Sequence, residues 1–321
     1  MNTLKNNIYI KLLIIISIVL LLLIPTTMIK GLIHERENVQ NDAISEVSAK
    51  WGENQTISGP YISIPYYKYV KEYSKKDSVE KLVLIKENIN ILPNELSIDG
   101  IINPESRYRG IYEIVVYNSI LHIKGKFNLS EISELDIAKE NIQFDKAYLS
   151  LGISDLRGIE KQITLSWNDK TYSFNPGVVS DDIIVSGINA NVDLDSKDSM
   201  LYEFSLSIDL KGSQLLYFTP VGKVTDIRMA SSWSNPSFNG SFLPDTREVS
   251  DTGFVAGWNV LHLNRNYPQM WTGSNYSVES SAFGIDLLLP VDSYQKSYRS
   301  IRYAILFIAF TFPYLVSISY S

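Results

Sequence analysis

The sequence predicts a mainly β protein, in which a large antiparallel, sandwich-like domain is flanked by an N-terminal transmembrane helix with a juxtamembrane extension and by a C-terminal transmembrane helix. Three observations predict this class. Residues 12–29 contain no charge. Several short segments in the middle of the chain alternate apolar and polar residues, which is the period of a half-buried strand. A second uncharged run starts at Tyr303.

The composition excludes several functions. The chain has 321 residues, a formal net charge of −6 and no cysteine. It has no cluster of basic residues that could neutralise phosphates, so a nucleic-acid partner is not expected. Without a thiol there is no disulfide, no cysteine-ligated zinc and no thiolate nucleophile.

The N-terminal segment is interpreted as an uncleaved membrane anchor behind a cytoplasmic tail of residues 1–11. A helix over 12–29 is about 27 Å long, close to the ~30 Å hydrocarbon core of a bilayer. A cleaved signal peptide is the first alternative, but the run is longer than a typical signal and no clear small-residue cleavage pattern follows Ile24. A buried core helix is the second, and apolar residues on every face disfavour it.

Residues 30–51 predict an amphipathic helix that continues the anchor. Its apolar residues recur mostly at spacings of three and four: Leu32, Ile33, Val39, Ala43, Ile44, Val47 and Trp51. We expect this stripe to pack on the domain that follows. A lipid surface and a second copy of the helix are the alternatives.

Residues 52–295 predict the β-rich domain, which we expect to be extracytoplasmic. The clearest strand is 202–211, in which Tyr202, Phe204 and Leu206 alternate with polar residues. Weaker strands are predicted at 121–128, 147–154 and 163–167, the last followed by a hairpin turn into 172–174. One short helix is expected after Ser130, with that serine as its N-cap.

The segment from Trp233 to Leu243 predicts a loop or a bulged edge strand, because Pro236 and Pro244 lack a backbone donor. Its rings Trp233, Phe238 and Phe242 have two interpretations. The favoured one is that they close the end of the sandwich. The alternative is a platform that binds envelope proteins or cell-wall carbohydrate.

No catalytic, cofactor-binding or metal-binding residue is predicted among the three histidines. His34 opens a sequence that begins like a zinc-protease helix, but Asn38 stands where the second histidine must be. His122 falls on the polar side of its strand. His262 is expected at a strand end near the core.

Other sequence motifs for metal binding or catalysis are incomplete or absent. Residues 191–196 space oxygen ligands as calcium loops do, but Ser196 and Tyr202 replace the required glycine and glutamate. A solvated turn is expected there, with a looser calcium site as the alternative. The chain has no nucleophile elbow, P-loop or dinucleotide fingerprint. A glycosidase with two distant carboxylates stays open, because such acids need not be close in sequence.

Residues 303–321 predict the second transmembrane helix. Lys296, Arg299 and Arg302 precede it, and basic residues also flank the first span, so charge does not decide the orientation. A large domain can cross a membrane regardless of its charges, and we therefore expect the domain outside.

The order of motifs along the chain resembles the CreD family of bacterial inner-membrane proteins, which are associated with cell-envelope integrity and colicin tolerance. The matching segments are LLIP at 22–25, HER at 34–36, GPYISIP at 59–65, RGIY at 109–112, SDLRGI at 154–159, SWSNPSFNG at 232–240, LP at 243–244, GFVAGW at 253–258 and YAILFI at 303–308.

The resemblance implies an inner-membrane anchor, a large extracytoplasmic β-rich domain and several further membrane helices. Residues 303–321 correspond to the first of those helices, with Ser319 where the family tends to have an acidic residue. No catalytic residue carries over. The expected function is a non-enzymatic contribution to envelope integrity. A membrane-anchored ligand sensor and a carbohydrate-active enzyme are the alternatives.

Overall fold

A computed structural model describes residues 8–74, 79–194 and 200–289, together with seven helical positions between 300 and 314. The chain divides into two compact units, one of Met1–Glu46 with Leu289–Ser321 and one of Val47–Leu288. The second unit contains all the described strands. The prediction of a mainly β protein is therefore confirmed.

One long helix, α1, runs over Ile8–Trp51. Its portion Ile16–Trp51 is long and apolar enough to cross a membrane, and its most apolar stretch has no buried residue. No other helix in the described residues meets both conditions. Most of the predicted second span, residues 303–321, lies outside the described residues.

The strands are numbered β1 to β17 along the chain and form two sheets. The first sheet has the order β13-β17-β11-β1-β5-β9-β8, and β2 joins it by pairing with both β1 and β16. Its strands are β1 (Gln55–Ser74), β2 (Val79–Ile91), β5 (Tyr148–Ile153), β8 (Asn175–Pro176), β9 (Gly187–Asn191), β11 (Leu215–Thr219), β13 (Pro236–Gly240), β16 (Met270–Thr272) and β17 (Phe283–Leu287).

The second sheet has the order β14-β15-β12-β3-β4-β10-β6-β7. Its strands are β3 (Glu95–Arg109), β4 (Tyr112–Asn128), β6 (Thr164–Trp167), β7 (Lys170–Ser173), β10 (Leu201–Ser213), β12 (Val224–Ser231), β14 (Thr246–Ser250) and β15 (Gly253–Leu261).

Both sheets are mixed, which corrects the prediction of purely antiparallel sheets. In the first sheet β1 runs parallel to β11, with Gln55 opposite Leu216. In the second sheet β12 runs parallel to β3, with Val224 opposite Glu95. Each parallel pair joins strands that are distant in the sequence, and a period of two does not tell parallel from antiparallel pairing.

The predicted alternation of buried and exposed residues is confirmed in β10 and is wrong in β5. In β10, Tyr202, Phe204 and Leu206 are buried while the residues between them are exposed, as predicted. In β5 all six residues are buried, so the polar face predicted there is wrong. The reason is position, because β5 lies between β1 and β9 and both of its faces are covered.

Two local predictions concern a hairpin turn and a short helix. The hairpin after Trp167 is confirmed, since β6 and β7 pair around Asn168, whose φ of 49° is left-handed. The helix after Ser130 is a short 3-10 segment, Ser130–Glu134, and the residue before it, Leu129, takes the N-cap position without a side-chain hydrogen bond.

A hydrogen bond and a ring contact connect the two sheets. The Tyr117 hydroxyl on β4 donates to the Leu215 carbonyl on β11 at 2.7 Å. The rings of Trp258 on β15 and Phe283 on β17 lie 5.7 Å apart. Trp258, Phe283 and Tyr117 are all buried, so the hydrophobic core includes residues of both sheets.

Candidate functional site: a polar clamp at the end of the helix

The last turn of α1, residues 47–51, belongs to the same compact unit as the strands. Four polar side chains lie around the end of this turn. Glu53 lies in the short linker between α1 and β1, and Gln55 is the first residue of β1. Asp155 and Arg157 come from the segment after β5. We call these four residues the polar clamp.

Asp155 is the centre of the clamp. It is 8% exposed, and its Oδ2 accepts a hydrogen bond from the Glu53 backbone N–H at 2.9 Å. Its Oδ1 accepts from the Arg157 backbone N–H at 3.1 Å and from Arg157 Nε at 2.8 Å. Burial alone would raise the pKa of Asp155, but the hydrogen bonds from Arg157 and the backbone hold that pKa below its ordinary value.

Arg157 connects this carboxylate to the helix. Its Nη2 donates to Glu53 Oε1 at 2.7 Å, and its Nη1 donates to the carbonyl of Ala49 at 2.8 Å. Ala49 is in the last turn of α1, where carbonyls have no partner within the helix. A cation at this end also interacts favourably with the helix dipole.

Gln55 is the buried member of the clamp. It is fully buried, and its Nε2 donates to the carbonyls of Asp155 and Lys211 at 2.9 and 3.0 Å. Its Oε1 accepts from the Asp155 N–H at 3.2 Å. Gly158 fits here because a Cβ on it would lie 2.3 Å from the Lys211 carbonyl oxygen. The clamp therefore ties β1, β10 and the segment after β5 together.

Trp51, the last residue of α1, forms two cation–π contacts through its ring. Arg107 and Lys211 place their cationic groups 4.8 and 4.7 Å from the ring centroid. Its Nε1 donates to the Tyr117 carbonyl at 3.2 Å. The cation–π pairs and this partly buried hydrogen bond fix the position of the ring.

The hydrogen bonds of the clamp suit a structural role better than acid–base catalysis. A general acid or base works best with a pKa near the working pH, and Asp155 is shifted away from neutrality. No local pattern in the sequence predicts these residues as a site, because Gln55 and Asp155 are 100 positions apart. The only available signal was the motif at 154–159, which has no chemical pattern of its own.

The three histidines belong to different elements of the fold. His34 is exposed on α1, with Nδ1 3.3 Å from Glu37. His122 is exposed on β4, and His262 is half-buried directly after β15, both as predicted. Within the described residues no group of three His, Cys, Asp or Glu side chains could hold a metal ion.

The acidic segment at 191–196 is only partly described, because Asp195 and Ser196 lie outside the described residues. Asp193 Oδ2 accepts from Lys170 Nζ at 2.8 Å and from the Tyr172 hydroxyl at 3.0 Å. The Lys170 hydrogen bond lowers the pKa of Asp193. This carboxylate therefore binds side chains of the β6–β7 hairpin.

The segment from Trp233 to Leu243 contains β13, an end strand of the first sheet, so the predicted edge is confirmed. Phe238 packs edge-on against Phe254 and Trp258, with centroids 5.7 and 5.8 Å away. Phe242 packs against Phe283 at 5.5 Å, and Trp233 Nε1 donates to the Leu288 carbonyl at 3.1 Å. These contacts favour the structural interpretation of the rings over the platform.

Comparison with known proteins decides the family. The family model described as "Inner membrane protein CreD" matches residues 7–319. The chain belongs to the CreD family. Inner membrane protein CreD of Escherichia coli (strain K12) is 31% identical over 314 residues, which are 96% of this chain and 68% of that protein. Two of the four clamp residues, Asp155 and Arg157, lie with the neighbouring Gly158 in the segment 154–159 that carries the resemblance to CreD.

A solved structure also matches this CreD-family chain in part. It is a mutant M1 zinc metallopeptidase from Deinococcus radiodurans bound to a Tyr-Ser-Ala substrate. It covers 53% of this chain and 39% of its own, with 10% identity and a TM-score of 0.24. A score this low supports no conclusion about fold or function.

Proposed function

We propose that this chain is a non-enzymatic inner-membrane protein that contributes to cell-envelope integrity, with its β domain on the extracytoplasmic side. Membership of the CreD family carries the proposal. The clamp supports this proposal, because its buried polar groups already form hydrogen bonds with other parts of the chain. A reactive site would instead leave such groups open to a substrate.

The proposed organisation follows the sequence pattern. Residues 1–11 are a cytoplasmic tail, 12–29 cross the membrane, 30–51 are the juxtamembrane helix, 52–295 are the domain and 303–321 cross again. Within the domain, we propose that the two sheets form a sandwich. The Tyr117–Leu215 hydrogen bond and the Trp258–Phe283 ring contact, each joining the two sheets, support that arrangement.

Gene deletion tests the envelope role. We expect a deletion strain to become more sensitive to bile-salt detergent and to a large antibiotic that an intact outer membrane excludes, and the wild-type gene to restore resistance. Asp155→Asn should restore it less well than Asp193→Asn, a matched change at an exposed ion pair. Unchanged sensitivity in the deletion strain would contradict the proposal.

Cysteine labelling tests the orientation, because the chain contains no cysteine of its own. Val185 is 79% exposed in the β domain, so Val185→Cys presents a reactive thiol without disturbing the core. We expect a membrane-impermeant maleimide to label it in spheroplasts. Labelling only after the membrane is broken would place the domain in the cytoplasm.

A further inference from the structure

Strands β1 and β2 continue beyond the rest of the first sheet as a two-stranded ribbon. Residues 66–74 pair with 79–87, from Tyr66 opposite Glu87 to Ser74 opposite Val79. Apart from a bridge between Tyr66 and Ile142, the described residues show these stretches pairing only with each other. We call this ribbon the arm.

One face of the arm is apolar and exposed. Tyr69 lies opposite Leu84, and Lys71 lies opposite Leu82, so these four side chains are neighbours on the same face. Tyr69, Leu82 and Leu84 are 68%, 67% and 51% exposed. Tyr67 and Lys86 form the next pair on this face. A ribbon that served only as a solvated loop would place polar side chains there.

The charge of the arm is opposite to that of the chain. The two paired stretches, 66–74 and 79–87, contain four lysines and three acidic residues, a net charge of +1, whereas the whole chain has −6. The six positions 67, 69, 71, 82, 84 and 86 contain two tyrosines, two leucines, two lysines and no acid. Glu87 is on the other face, where it binds Lys68 at 2.7 Å and the Tyr66 hydroxyl at 2.8 Å.

We propose that this face of the arm docks on an anionic phospholipid surface. Tyrosine prefers the interface between headgroups and hydrocarbon, and the two leucines would enter the outer part of the acyl region. Lysine extends its aliphatic stem along such a surface while its ammonium group contacts lipid phosphates.

The membrane location of the family makes a lipid surface the favoured occupant. A chain anchored in a bilayer presents its surfaces to that bilayer at a high effective concentration, so a weak contact becomes populated. A protein partner or a second copy would have to be recruited separately. The inference does not depend on the envelope role, because it requires only the membrane and the exposed face of the arm.

Nitroxide labels on single cysteines test the docking in the full chain reconstituted into vesicles. Leu84→Cys places the label on the arm, and Ile101→Cys places it on β3 of the second sheet at a matched exposure of 54%. In vesicles containing phosphatidylglycerol, we expect the Leu84 label to gain access to oxygen and to lose access to a water-soluble nickel chelate. The Ile101 label should remain aqueous.

The lysines provide a second readout. One lysine near an anionic surface changes partitioning by about five-fold, so Lys86→Gln should reduce the docked population by about that factor. Pure phosphatidylcholine vesicles should reduce it further. We expect both variants to fold, because Leu84 and Lys86 are exposed. Circular dichroism checks this.

Three results would overturn the proposal. In the first, the Leu84 label is as aqueous as the Ile101 label in anionic vesicles. In the second, docking is equal on neutral and anionic vesicles, which removes the role of the lysines. In the third, Leu84 labels broaden one another's spectra without gaining oxygen access, which assigns the face to a second copy of the chain.

Discussion

The carboxylate of Asp155 joins Glu53, in the linker before β1, to the segment after β5, and its removal should destabilise the domain. A hydrogen bond to a charged group contributes about 1.5–3 kcal/mol, and Asp155 accepts several while 8% exposed. We expect Asp155→Asn to lower the free energy of unfolding by about 2–3 kcal/mol, since its amide turns a donor towards other donors.

The control is Asp193→Asn, which removes a carboxylate that also binds a cation but whose side chain is 70% exposed. An exposed pair contributes under about 1 kcal/mol. Guanidinium unfolding of the detergent-solubilised chain, followed by tryptophan fluorescence, measures both losses. Equal losses would show that burial of Asp155 has no energetic consequence.

The Asp155 contribution should also depend on pH. Because folding lowers the pKa of Asp155, the unfolded chain binds the proton first as the solution is acidified. The stabilisation is therefore complete above about pH 5 and is lost as pH falls below about 4, through the folded-state pKa. The stabilities of the wild type and Asp155→Asn should converge over that acid range. A difference that stayed constant would contradict this assignment.

Two buried tyrosines should respond in opposite directions when their hydroxyls are removed. Burial raises the pKa of Tyr148 to about 12, against a smaller opposing effect of the nearby Ser63 hydroxyl. The Tyr148 hydroxyl itself makes no hydrogen bond of normal length and angle among the described residues. Ser63, opposite it, donates its proton to Asn90 at 2.6 Å. Tyr117, also buried, donates to Leu215 at 2.7 Å.

We therefore expect Tyr148→Phe to raise the free energy of unfolding by about 1 kcal/mol and Tyr117→Phe to lower it by about 1 kcal/mol. Both changes delete the same atom from a buried ring, so the packing effects cancel in the comparison. Urea denaturation gives both values. A loss of stability in Tyr148→Phe would contradict the assignment of this hydroxyl as unpartnered.

At the scale of elements, β13 shows how an edge strand is held by its rings. Phe238 is half-buried against Phe254 and Trp258, while Leu243 is 68% exposed. Phe238→Ala should lower the free energy of unfolding by about 2 kcal/mol, less than for a fully buried ring. Leu243→Ala should change it by no more than about 0.5 kcal/mol. Thermal unfolding checks both, and an unaffected Phe238→Ala would restore the platform interpretation.

Individual elements were predictable to the extent that one of their faces meets water. The alternation in β10 has a wet face, so the sequence predicts the strand and its orientation. Both faces of β5 are covered, and its small polar residues, such as Ser150, are buried by neighbouring strands that no local pattern reveals. The prolines predicted the edge position of β13 because they lack a donor. The clamp depends on pairing across 100 residues, which a single sequence does not display.

At the scale of the whole domain, the two sheets share an aromatic core. Trp258 from the second sheet contacts Phe283 and Phe238 from the first, and Phe283 also contacts Phe242. If these contacts unite the sheets into one cooperative unit, mutations in either sheet should shift the same unfolding transition.

A double-mutant cycle on Trp258→Leu and Phe283→Leu measures that coupling directly. Aromatic pairs contribute about 0.5–1.5 kcal/mol beyond the area they bury, so the double mutant should lose less than the sum of the single mutants by about that amount. Phe127→Leu with Phe283→Leu is the control, because Phe127 packs on Trp167 and Phe204 within its own sheet. That pair should be additive within about 0.5 kcal/mol. An additive Trp258–Phe283 pair, or two separate transitions, would mean that the sheets are stabilised independently and would count against the sandwich.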